Sequence, residues 1–291
     1  MTPVTGRAAG VALPAAIRAA ATRLAGAGVP SPGHDAQALA AHALGVPAGG
    51  LAAIGELGGA ELAAYEALVE RRRAREPLQH ITGSAPFRYL DLAVGPGVFV
   101  PRPETELVAQ AAIDAARAAG PHPLVVDLCT GSGVIALAVA MEVPGARVHG
   151  VEREADALRW ATRNVAATRL PVELHHEPAE SALAGLAGRV DVVVSNPPYV
   201  PDDERGTVEP EVRHDPDAAL WGGPDGLATV RAVVAAAARL LRPGGALVVE
   251  HSDRHGEAVP ALLAGSGGWE AVRDHADLAG RPRYVTVRRA P

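Results

Sequence analysis

One stretch limits the fold of this chain more than any other: the apolar, β-branched run Asp191-Val192-Val193-Val194 goes straight into Ser195-Asn196-Pro197-Pro198-Tyr199-Val200. The run reads as a buried strand, and two consecutive prolines end it, since each lacks a backbone N–H and fixes φ. The residue before a proline is held extended. Carbonyl oxygens and the Asn196 amide are therefore presented at the C-terminal end of a strand, a rim suited to accept hydrogen bonds from an NH2 group. A primary amide or the exocyclic amine of a base, held by Asn196 and the Pro197 carbonyl with Tyr199 against its π face, would have its nitrogen aimed at one electrophile. Taken alone, these residues fit an ordinary Asn-Pro turn equally well.

The surroundings favour chemistry. Upstream, Leu124-Val125-Val126-Asp127-Leu128-Cys129-Thr130-Gly131-Ser132-Gly133 leads into a helix predicted over 134–142. Strand, glycine-rich turn and helix N-terminus make a nucleotide cradle, with close backbone approach and free N–H groups facing the ligand. A second strand, Ala146 to Val151, ends in Glu152, about 20 residues after the glycines, where an acid hydrogen-bonds both ribose hydroxyls. Position 136 is alanine and the chain has no lysine, so the marks of a phosphate-carrying loop are missing. An adenosine without a phosphate chain is expected, which points to S-adenosylmethionine. Its wall is expected to be Asp127, Cys129, Thr130, Gly131, Ser132 and Gly133, with Glu152, Glu177 and Asn196.

Further units follow: helix 154–167 with strand 171–175, a short helical piece near 180–187 with strand 189–195, helix 226–241 with strand 245–251, helix 256–264, and strands near 269–274 and 283–289. The alternation predicts a parallel α/β sheet with ligands at the strand C-terminal ends. Segment 200–224 is too long for a passive connector and is expected to be a lid or substrate loop. Before the sheet, helices over 14–27, 33–44 and 59–75 predict a helical domain over 1–85. It lacks catalytic composition and is expected to dock substrate, with Asp35 and the arginines at 71–75 on solvated faces. Residues 86–100, broken by Gly95-Pro96-Gly97, read as a β-hairpin linker, and 101–291 as the catalytic domain. Arg102, held extended between two prolines, is placed to clamp a carboxylate or a partner backbone.

Composition removes several classes. All 27 basic residues are arginine, so neither a Schiff base nor a lysine general base is available. The single cysteine, Cys129, excludes an internal disulfide and a cysteine-cluster zinc site, and no metal is expected. No apolar run reaches the ~18 residues of a spanning helix, so no membrane association and a cytoplasmic location are expected. Residues 1–85 carry 7 Arg against 6 Asp and Glu, while 86–291 carry 20 against 27. A surface that neutralises phosphates should be basic, so direct nucleic-acid binding is not expected.

The chain resembles the release factor glutamine methyltransferases, the HemK-type proteins, over nearly its full length. The resemblance rests on Arg75-Glu76-Pro77-Leu78-Gln79-His80-Ile81-Thr82-Gly83, Val100-Pro101-Arg102-Pro103-Glu104-Thr105-Glu106, Asp127 to Gly133, Asn196 to Tyr199, Gly222 to Leu227, and Gly280-Arg281-Pro282-Arg283. It implies an N-terminal helical bundle, a β-hairpin linker and a seven-stranded, Rossmann-like S-adenosylmethionine-dependent methyltransferase domain with its last strand antiparallel. The implied reaction is methyl transfer to the glutamine side-chain amide of the Gly-Gly-Gln motif in class I peptide chain release factors, by a monomer. Asn196, Pro197 and Tyr199 would be catalytic, with Pro198, Arg102 and Glu104 also contacting substrate. The chain departs from the family pattern at His80 (commonly tyrosine), Cys129 (commonly glycine), Glu177-Pro178-Ala179 (often with an aromatic beside the adenine) and Asp215-Pro216 (commonly Glu-Pro). Asn-Pro-Pro-Tyr also occurs in DNA amino-methyltransferases, so the alternative is a nucleic-acid adenine N-methyltransferase acting on a flipped base.

Overall fold

The computed structural model describes residues 10–291, which fall into two compact units. The first contains the chain up to Gly83 together with Glu209–His214. Strand β1 (Val11–Ala12) pairs with β2 (Glu56–Leu57), and around this ribbon lie α1 (Leu13–Gly26), α2 (Pro32–Leu44), α3 (Gly59–Arg73) and the short α4 (Leu78–Thr82). Alanines at helical spacing let α1 and α2 approach closely, and Leu13, Leu24, Leu39, Tyr65 and Val69 fill the space between helices. The Tyr65 hydroxyl donates to the Ala36 carbonyl at 3.0 Å, which satisfies it inside that core.

The arginine run does not form a solvated face as a whole. Arg72 is 5% exposed; its guanidinium donates to Asp35 at 2.7 Å and reaches Glu211 at 2.9 Å, both carboxylates being buried. Arg75 joins through two nitrogens on Glu211. The expectation of surface roles for Asp35 and these arginines fails because their partners lie far along the chain, beyond the reach of helical periodicity.

The second unit opens with the hairpin β3 (Ser84–Phe87) and β4 (Leu90–Ala93). Its turn falls at Arg88-Tyr89, not at Gly95-Pro96-Gly97. Arg88 takes φ 52°, and its side chain is anchored by Glu142 and Gln110, so long-range polar contacts hold a turn that lacks glycine. Gly95 instead accommodates Trp160: a Cβ there would lie 2.7 Å from the indole.

Then follow α5 (Thr105–Ala119), β5 (Leu124–Leu128), α6 (Val134–Glu142), β6 (Arg147–Glu152), α7 (Ala155–Thr168), β7 (Val172–His176), β8 (Val190–Ser195), α8 (Asp217–Leu220), α9 (Ala228–Leu240), β9 (Leu241–Glu250), α10 (Ala258–Ser266), β10 (Trp269–Ala276) and β11 (Pro282–Arg289). The strands form one seven-stranded sheet in the order β10-β11-β9-β8-β5-β6-β7, in which only β11 runs against the others. Side chains alternate between the faces. Val125, Val148, Val192 and Val194 pack under α5 and α6, while Val126, Leu128, Val193 and Val249 pack under α9 and α10. With both faces covered, the central strands read as continuous apolar runs, and this made them visible in the sequence.

Candidate active site

From β5 the chain moves outward to β6 and β7, whereas β8 lies on the other side of β5, so the connections diverge at the C-terminal ends of β5 and β8. A crevice opens at such a switch point. Here it is a cavity of about 1150 Å³, counting its open mouth, lined among others by Thr130, Gly131, Ser132, Glu152, Asn196 and Tyr199. Cys129, Glu177, Pro197 and Pro198 line it as well. Ser195 donates its hydroxyl to the Leu128 carbonyl at 2.7 Å, locking the two strand ends together below the cavity.

The cofactor wall is a loop in tension. Cys129, Gly131 and Gly133 all have positive φ, at 61°, 58° and 86°. Glycine takes this region freely and cysteine does not, so the loop stores strain of about 1–3 kcal/mol at Cys129. Asp127 restrains it from beneath: Oδ2 accepts from the Thr130 hydroxyl at 2.6 Å and from the Ala136 N–H at 3.1 Å. Asp127 is 1% exposed, and burial pushes its carboxyl up to about 7. Neither Asp127 nor Gly133 lines the cavity. Asp127 thus shapes the loop from beneath it. Burial likewise lifts the Cys129 thiol to about 12, so it is no nucleophile at neutral pH.

Glu152 stands where the ribose acid is expected. It accepts from the Gly131 N–H at 2.9 Å and from the Glu154 N–H at 2.9 Å, and burial raises its carboxyl above the usual range. Those bonds fix the carboxylate in position and leave each oxygen a lone pair for a ligand hydroxyl. Glu177 accepts from the Leu183 N–H at 3.1 Å, and its own N–H donates to the Glu152 carbonyl.

The amide rim is built differently. Asn196 Nδ2 donates to Thr105 Oγ1 at 3.2 Å, and the Tyr199 hydroxyl donates to Glu250 Oε1 at 2.9 Å. Glu250 is 1% exposed, and burial pushes it up to about 7 despite the Thr105 and Tyr199 hydroxyls, which favour its charged form. Burial also holds the Tyr199 phenol well above its ordinary value. The Thr105 hydroxyl oxygen thus occupies Asn196 Nδ2 as its acceptor. Asn196 Oδ1 is thereby left to accept from a substrate. After Tyr199 the chain doubles back: the Val200 N–H donates to the Leu220 carbonyl at 2.8 Å and the Gly222 N–H to the Val200 carbonyl at 2.9 Å. Gly226, at φ 71°, packs so closely that a Cβ would sit 2.5 Å from the Tyr199 carbonyl oxygen. The ends of segment 200–224 are thus pinned.

Arg102 and Glu104 are the other two residues expected to contact substrate. Arg102 does clamp a carboxylate, but it is Asp215 of the same chain, at 2.7 Å, with Asp215 also accepting the Val100 N–H at 3.0 Å. Neither Arg102 nor Glu104 lines the cavity; Glu104 lies near Glu250 and raises it further. The residues missed from sequence are Thr105, hidden inside a helix-start motif, and Glu250, which reads as the end of a buried strand. A carboxylate closing an apolar strand at the ligand edge was the available signal.

Comparison with known proteins bears on what this cavity serves. Residues 15–83 match the PrmC N-terminal domain, and residues 104–213 match the methyltransferase small domain. A release factor glutamine methyltransferase from Streptomyces coelicolor is 54% identical over 279 residues, covering 95% of this chain and 98% of that one. The chain belongs to the release factor glutamine methyltransferase family. The family protein of Mycolicibacterium smegmatis is 47% identical, with 94% and 96% covered. In structure, the catalytic domain of hMettl16 in complex with MAT2A 3'UTR hairpin 6 superposes with a TM-score of 0.52 at 14% identity, over 68% of this chain and 75% of that one, a likeness of fold.

Like other members of this family, the chain is an S-adenosylmethionine-dependent methyltransferase. Its residues fit that cofactor. A Cβ built on Gly131 meets nothing, so the loop backbone is open to a ligand. Glu152, Glu154, Glu177 and Glu180 line the cavity against one base, Arg153, a balance that favours a sulfonium and an ammonium and disfavours a phosphate chain.

Proposed function

We propose that this methyltransferase modifies the side-chain amide nitrogen of the glutamine in the Gly-Gly-Gln motif of class I peptide chain release factors, acting as a cytoplasmic monomer without direct nucleic-acid contact. The observation that carries the reading is the Asn196–Thr105 hydrogen bond, which turns Oδ1 of Asn196 toward the cavity as an acceptor. The relatives named for this activity support it.

S-adenosylmethionine, when bound, supplies an electrophilic methyl group on a sulfonium. An amide nitrogen is a weak nucleophile because its lone pair is delocalised. Asn196 Oδ1 and the Pro197 carbonyl accept its two N–H bonds, which draws density onto nitrogen and orients it for in-line attack. Tyr199, fixed by Glu250, packs on the amide plane. With that cofactor bound, transfer would form the N–C bond as the C–S bond breaks, the thioether being the leaving group, while Asn196 Oδ1 and the Pro197 carbonyl hold the nitrogen and its released proton passes to water. No covalent enzyme intermediate is needed. Glu152 and the 130–133 loop hold the cofactor, while Asp127 keeps the loop in shape.

Labelled methyl donor offered in parallel to an intact release factor, tRNA and duplex DNA, followed by mass spectrometry of the factor's tryptic peptides, tests the proposal. Label on the Gly-Gly-Gln glutamine is expected, with transfer lost in Asn196→Ala while cofactor binding stays within about tenfold. Label in nucleic acid alone, or normal turnover by Asn196→Ala, would overturn it.

A further inference from the structure

At the free edge of the sheet, outside the cofactor cavity, His149 on β6 meets Glu173 and His175 on β7. His149 stands directly opposite Glu173 in the register, and His175 lies two residues further along the same strand. All three side chains therefore project from one face. That face carries Val151 under the 179–186 segment, and past it, toward the edge strand, the histidines are mostly covered while Glu173 is exposed. His149 Nδ1 and His175 Nε2 are 2.9 Å apart. Each is 3.6 Å from a Glu173 carboxylate oxygen, His149 from Oε2 and His175 from Oε1. One donor atom from each residue lies within 4.8 Å of the others.

Two imidazoles and a carboxylate at such separations match the span that ligands about 2.0–2.2 Å from a common ion impose on one another. Two donors at positions i and i+2 of one strand with a third on the neighbouring strand give three convergent ligands without backbone adjustment. The solvent side leaves room for water to complete the shell. The single cysteine bears only on thiolate sites and says nothing of this donor set, which suits a borderline ion.

We propose that His149, Glu173 and His175 form a site for a divalent first-row ion of the Zn2+ class, which ties the edge strand β7 to β6. The two rings now share one proton in a hydrogen bond. Binding needs only that each neutral ring carry its proton on the nitrogen facing away, His149 on Nε2 and His175 on Nδ1, so the ring protons are rearranged and none is lost. The ion would sit three residues before Glu152 and two before Glu177, at the outer end of the cofactor wall.

The test uses the full, untagged chain stripped with chelator. Titration with Zn2+ by calorimetry, and with Co2+ by visible absorption, should show one tight equivalent with the intensity of a site of low coordination number, and Zn2+ should raise the melting temperature. His149→Gln and His175→Gln should each weaken that equivalent at least tenfold and abolish the melting shift, with far-ultraviolet dichroism and S-adenosylmethionine affinity in metal-free buffer unchanged. Absence of a tight equivalent in the wild-type chain, or its survival in both variants, would overturn the proposal.

Discussion

Thr105 Oγ1 accepts the Asn196 amide N–H at 3.2 Å from the first residue of α5, while the same hydroxyl faces the carboxylate at the end of β9. The side chain proposed to orient the substrate is itself held from another element. Thr105→Val keeps the shape and removes the acceptor, so the Asn196 amide loses its preferred sense. One neutral hydrogen bond contributes about 1 kcal/mol, and a loss of roughly fivefold in kcat is expected, with KM for S-adenosylmethionine little changed. Thr105→Ser should recover most of the rate. A variant with wild-type kcat would show that Asn196 holds its orientation without Thr105.

Glu250 gives a pH signature. In the unfolded chain its carboxyl ionises in the ordinary glutamate range, and in the fold burial holds the proton up to about 7. Between those values the folded chain binds more protons than the unfolded one, so the contribution of Glu250 to stability is fully present below the unfolded value and declines as pH rises to about 7. Glu250→Gln has no such term. The stability of the Gln variant relative to wild type should therefore improve by about 3 kcal/mol between pH 4.5 and pH 8, read from urea midpoints at each pH. A constant difference across that range would mean that Glu250 ionises normally.

The particular residues show which parts of this molecule could be read in advance. Strands β5 and β8 were legible because burial on both faces makes them unbroken apolar runs, and the cradle because Gly131 and Gly133 must take positive φ. The Asn196 rim was legible because two prolines can stop a strand in few ways. Glu250 was not: its partner Tyr199 is 51 positions away, and a single acid after four apolar residues carries no spacing signal. Arg72 and Asp35, 37 positions apart, were misplaced for the same reason, and periodicity gave no warning that Glu211 would join them. The hairpin turn at Arg88 was missed because its long-range polar contacts replace the glycine that local rules look for.

Arg72 serves two carboxylates inside the helical unit, Asp35 at 2.7 Å and Glu211 at 2.9 Å. Removing one partner of a buried ionic group leaves the rest unpaired, at about 3–5 kcal/mol. Arg72→Met should lower the thermal midpoint of this unit clearly. Arg72→Lys should rescue little, because a single ammonium cannot reproduce the guanidinium fork. If Arg72→Met melts like wild type, the cluster adds no net stability.

The candidate cavity is lined, among the described residues, by residues of the second unit, from Gly97 to Thr229. A glutamine amide alone offers too little surface to distinguish one protein's glutamine from another's, so selectivity for a folded factor needs a second contact. The proposed docking role of the helical unit supplies it. A chain beginning at Ser84 should bind S-adenosylmethionine with near-normal affinity, since every residue of the cofactor wall is retained. On the intact release factor it should lose most of its kcat/KM, on the order of a hundredfold if docking contributes about 3 kcal/mol. On a short Gly-Gly-Gln peptide, which cannot reach a second surface, the rate should change by less than about threefold. An equal loss on both substrates would assign the helical unit to stability alone, and an unchanged rate on the intact factor would remove it from recognition altogether.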